Sequence, residues 1–127
     1  MSGLDPIIHQ QNEREEHAIP EGCRILETWN KAWDPDVSIA RARVAPGTAT
    51  RLHRLADITE RYLILSGTGL VGVGELPPQS VAPGDLVYIP PGCPQRISNP
   101  GPHDLIFLAV CTPRFQQEAY EDIEPGG

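Results

Sequence analysis

His53 and Glu60 stand in the stretch RLHRLADITERYLILSGTG, which begins at Arg51. An imidazole nitrogen can take a proton or ligate a metal ion, and a carboxylate can do either. Side chains two apart on a strand share a face. Arg51 and Leu55 therefore stand with His53, and Tyr62 stands with Glu60. A guanidinium with the parity of His53 could meet an anionic substrate group by a bidentate contact, or lie on the surface. The hydroxyl of Tyr62 could donate to a ligand, or sit at the rim of a core. Leu55 brings no donor atom at all.

The elements that must position these residues are short. The 127 residues include 14 prolines and 12 glycines, too many for a helical domain because both interrupt helices. They cluster in APG, SGTG, LPP, APGD, PPGCP and NPGP. Between the clusters lie short runs rich in Val, Ile, Leu and Tyr, the pattern of strands joined by tight turns. In DVSIARARVAPG, Ser38, Ala40, Ala42 and Val44 share one face and Arg41 and Arg43 the other. The small residues are the inward set, because burying two unpaired arginines is costly. DLIFLAVCT is the longest apolar strand, and PRFQQEAYEDI is expected to form a short helix after Pro113. Residues 1–20 read as an arm with acidic residues at Glu13, Glu15 and Glu16, residues 21–114 as a barrel, and residues 115–127 as a tail.

Composition limits the function classes. The net charge is -7, from 10 basic and 17 acidic side chains. No stretch is basic enough to track a phosphate backbone, which argues against a nucleic-acid partner. No apolar run approaches the roughly 20 residues of a membrane span. The opening residues are polar and acidic where a signal peptide has a basic start and an apolar run, so a cytoplasmic protein is expected. Cys23, Cys93 and Cys111 are odd in number and widely spaced, which fits free thiols in a reducing compartment.

Two spaced sets of residues carry a resemblance. The first is Gly47, His53, Leu55, Glu60 and Gly67; the second is Gly84, Pro90, Gly92, Gln95 and Asn99. Together they resemble the two motifs of the cupin superfamily, over residues 37–112. The resemblance implies an all-β fold, an antiparallel jelly-roll β-barrel, with the first motif's two histidines and glutamate and the second motif's histidine facing the interior. Here the second histidine position holds Leu55 and the third holds Gln95.

What the resemblance implies for the site follows from those departures. His53, Glu60 and Gln95 would converge near the barrel mouth as one nitrogen, one carboxylate and one amide oxygen. Such a set could hold a divalent metal weakly, with Mn, Fe, Ni or Zn all compatible. A metal-dependent enzyme of dioxygenase, isomerase or lyase type is then expected, acting on a polar small molecule. Equally open is a metal-free cavity in which these residues bind a ligand, as a sensor or carrier, with His53 and Glu60 available for acid–base work. A third reading makes His53 and Glu60 a satisfied polar pair of the core. Arg51, Leu55, Tyr62 and Gln95 are the candidate ligand-binding residues. Small cupins also imply a homodimer, with Trp29 and Trp33 as the expected anchors.

Overall fold

The computed structural model describes residues 5–126. Its strands are β1 (His17–Ala18), β2 (Arg24–Trp29), β3 (Ser38–Val44), β4 (His53–Leu55), β5 (Thr59–Ser66) and β6 (Gly69–Val73). They continue as β7 (Gln79–Val81), β8 (Leu86–Ile89), β9 (Gln95–Ser98), β10 (Leu105–Thr112) and β11 (Tyr120–Asp122). One sheet has the order β1-β2-β3-β10-β5-β8 and the other β11-β4-β9-β6-β7. Every pairing is antiparallel. The two sheets face each other as an open barrel: the strand ladders do not close into one ring.

The near-continuous apolar run of β10 explains its central place between β3 and β5. Its inward residues are Leu105, Phe107, Ala109 and Cys111. They sit opposite Val44, Ala42, Ala40 and Ser38 of β3 in register. On the other side Phe107, Ala109 and Cys111 meet Ile64, Tyr62 and Glu60 of β5. The inward face of β3 is thus the small-residue face, and Arg41 and Arg43 point away from it. Outside, they bind the carboxylates of Glu13 and Glu16 in the arm. The arm is therefore tied to the sheet, with a single 3-10 turn over Glu13–Glu15 and a short strand, β1.

Gly67 ends β5 with φ +78°, and a Cβ there would lie 2.4 Å from the Asp104 carbonyl oxygen. Only glycine lets β5 turn into β6 this close to β10. The main core is formed by Val44, Ile64, Val71, Ile97, Leu105 and Phe107 with their neighbours. A smaller cluster holds Leu55, Ile58 and Cys111, with Phe115, Ala119 and Tyr120 packed on it.

The expected helix after Pro113 does not form. The tail makes one 3-10 turn, Gln117–Ala119, and then β11, which pairs with β4. A helix this short gains little from its own hydrogen bonds, whereas the free edge of β4 offers a ladder. Among the described residues no helix is long and apolar enough to cross a membrane.

Candidate functional site

Between the sheets lies a cavity of about 290 Å³. Its floor exists because β3 and β10 place Ser38, Ala40, Ala42 and Ala109 inward, where larger side chains would fill the space. Glu60 and Tyr62 of β5 form one wall. Phe115 and Tyr120 of the tail and Glu21 before β2 close around the mouth.

Glu60 is 9% exposed. Its Oε2 accepts a 3.7 Å contact from the Cys111 thiol, and its Oε1 is buried without a hydrogen-bond partner. Burial, reinforced by the negative charge of Glu21, pushes the Glu60 carboxyl up to about 7, against smaller opposing effects of Gln95 and Cys111. Burial likewise raises the carboxyl of Glu21, opposed by His53. The same desolvation holds the Tyr62 hydroxyl and the Cys111 thiol well above their usual ranges, so both stay protonated.

His53 and Gln95 are paired residues of β4 and β9. Both are buried, and they sit behind the cavity wall rather than on its surface. His53 Nδ1 donates to the Arg51 carbonyl oxygen at 2.6 Å. That bond fixes the tautomer and leaves Nε2 as the available nitrogen, 3.8 Å from Oε2 of Glu21. The imidazole stacks on Tyr120 at 5.1 Å between ring centroids. The Tyr62 hydroxyl donates to Oε1 of Gln95. Nε2 of Gln95 is buried without a partner, as is Oε1 of Glu60.

Two other expected site residues lie elsewhere. Arg51 is on the outside, its Nε 2.5 Å from Oδ2 of Asp122. It shares the parity of His53 but precedes β4, where strand alternation does not hold it inward. Leu55 does face inward, yet it is packed into the smaller apolar cluster and does not line the cavity.

A metal ion fits this arrangement poorly. Leu55 brings no donor, and Oε1 of Gln95 already accepts from Tyr62. The free nitrogen of His53 is nearest to Glu21. Among the described residues no three His, Cys, Asp or Glu side chains gather closely enough to hold an ion.

Glu21 and Tyr120 were not legible as site residues. Glu21 lies far from His53 along the chain, in a turn where Gly22 adopts φ +101° and its N–H bonds the Ile19 carbonyl. No spacing pattern marks such a residue. Tyr120 reaches the site because β11 pairs with β4, with Tyr120 opposite Leu55.

Known proteins share this architecture. Residues 40–111 match the cupin domain family. The uncharacterized protein MJ1618 of Methanocaldococcus jannaschii is 37% identical over 87 residues, which are 68% of this chain and 69% of that one. A predicted oxalate decarboxylase from Thermotoga maritima superposes with a TM-score of 0.75 at 24% identity, over 84% of this chain and 98% of its own. Pac13, a nucleoside dehydratase, superposes with a TM-score of 0.75 at 14% identity, over 93% and 92%. At these identities the two structures speak for the fold, which hosts many chemistries. With more than half its length matched by that family, and the two facing antiparallel sheets in place, the chain belongs to the cupin family.

Proposed function

We propose that this cupin binds a polar small molecule in the cavity and acts on it by proton transfer, as a lyase or isomerase. Glu60 is the acid–base group, and Glu21 at the mouth is backed by His53 from behind the cavity wall. The observation that carries the reading is the buried Oε1 of Glu60, unpartnered at the wall of a cavity. A carboxyl that titrates near 7 can give or take a proton at neutral pH, as general catalysis requires. Eliminations and enolisations need a base at a C–H and an acid at a departing or carbonyl oxygen. A carboxyl that is part ionised and part protonated near neutrality can fill either role in turn, and the tautomer of His53 leaves its bare Nε2 facing the Glu21 carboxyl at the mouth rather than a ligand oxygen. The dehydratase named among the similar folds performs a reaction of this general class, which is support by analogy only.

A carrier or sensor without chemistry is the alternative, in which the same groups only hydrogen-bond the ligand. The setting in this reading is the cytoplasm, and the unit is a homodimer. The expected anchors Trp29 and Trp33 pack edge to face at 5.7 Å between ring centroids, with Trp33 38% exposed and available for the contact.

The test begins with a small-molecule screen by thermal shift in the presence of a chelator. Compounds that stabilise the protein are then incubated with it and analysed by mass spectrometry. The proposal expects at least one to be converted, and conversion to fall at least about a hundredfold in Glu60→Gln while binding persists. Compounds that bind and are recovered unchanged would make the protein a binding module.

A further inference from the structure

Three carboxylates line the cavity: Glu21, Glu27 and Glu60. Among the described residues none of the Lys or Arg side chains does. Arg61, between Glu60 and Tyr62, donates to the Thr112 hydroxyl and lies over the Tyr88 ring, while Arg51, Arg54 and Arg96 pair with Asp122, Glu121 and Glu124. The chain has three tyrosines and two phenylalanines, and all but Tyr88 line this one cavity.

We propose that the cavity recognises a small organic cation, an alkylammonium group carried on a neutral body. This deepens the preceding reading and rests on the part of it that makes the cavity the ligand site. Aromatic faces attract an ammonium group through their quadrupole, and the attraction grows where water is excluded. A buried carboxylate oxygen without a partner is costly until a donor or a positive charge arrives. Glu60, which lines the cavity, carries such an oxygen, and Glu21 and Glu27 add two further carboxyl groups to walls whose remaining polar side chains include His17, Ser38 and Gln117. An anionic ligand would bring its charge among three carboxyl groups and, apart from the His17 imidazole, find no basic side chain in the lining. This differs from the expectation of an anionic substrate group met by Arg51, which pairs with Asp122 and does not line the cavity.

Choline and ethanolamine are the cationic probes, with 3,3-dimethylbutan-1-ol as the neutral isostere of choline and acetate as the anion. Each is titrated calorimetrically into the full chain at fixed ionic strength. At least one cation should bind about tenfold or more tightly than the neutral isostere, and acetate should not compete. The preference should shrink in Glu60→Gln and in Tyr120→Leu. Ala40→Phe, which fills the floor, should abolish binding. Circular dichroism of each variant checks that it folds. Equal affinity for choline and its neutral isostere overturns the proposal, as does tighter binding of acetate or no binding of either cation. Neutral or anionic compounds from the screen whose binding Ala40→Phe abolishes would leave the cavity as the ligand site while refuting its cation preference. A cation whose binding survives Ala40→Phe would refute both.

Discussion

The two ends of the same strands are built differently. At one end β3, β5, β9 and β10 point Val44, Ile64, Ile97 and Leu105 inward, and each is 1% exposed or less. At the other end the same strands point in Ser38, Glu60, Gln95 and Cys111. The change is graded in register: Val44 faces Leu105, Ala42 faces Phe107, Ala40 faces Ala109, and Ser38 faces Cys111. Large apolar pairs give way to small ones, and the last pair is polar. The packed end gives the fold its hydrophobic stabilisation. The open end gives up packing to hold a cavity, and it carries two buried polar atoms that lack partners, Oε1 of Glu60 and Nε2 of Gln95.

Substitutions at the two ends should separate stability from function. Leu105→Ala removes a fully buried side chain from the packed end and should cost about 2–5 kcal/mol in urea unfolding. A cost below about 1 kcal/mol would mean that this end is not the stabilising one.

Glu60→Gln tests the open end through pH. The folded pKa of about 7 lies above the usual carboxyl value, so the folded protein holds this proton over the interval between them. The corresponding stability is fully present below the unfolded pKa and is lost as pH rises through the folded one. The glutamine variant has no such loss. Its stability relative to the parent should therefore climb between about pH 5 and about pH 8, by up to about 3 kcal/mol. A difference that stays flat with pH would remove the raised carboxyl from the account.

Smaller effects are expected on the outer surface and from metals. Arg51→Ala breaks a solvent-screened surface pair and should leave the urea midpoint close to that of the parent. It should leave ligand affinity unchanged, because Arg51 does not line the cavity. A marked loss of affinity would return Arg51 to the site. Zinc or manganese should raise the melting temperature of neither the parent nor His53→Ala, since metal that binds only the folded form would show as such a rise. A saturable rise in the parent that His53→Ala abolishes would restore the metal reading.

The strands, their turns and their inward faces were legible in the residue order. Strand alternation is a local rule, and the Pro and Gly clusters mark where each strand stops. Hence Ala40 and Ala42 could be assigned inward and Arg41 and Arg43 outward, and the two spaced motifs pointed to the cupin fold. His53, Glu60 and Gln95 were named from their places in those motifs, and Tyr62 from sharing a face with Glu60. What lay beyond local rules was decided by pairing in three dimensions. The tail became a strand because β4 had a free edge, and that brought Tyr120 onto His53. Glu21 reached Nε2 of His53 from a turn before β2. Arg51 was drawn outward by Asp122 of the same tail strand. Each of these contacts joins distant segments, and no short-range spacing encodes them. A residue's parity states which face it takes, while only the packed structure decides what stands opposite.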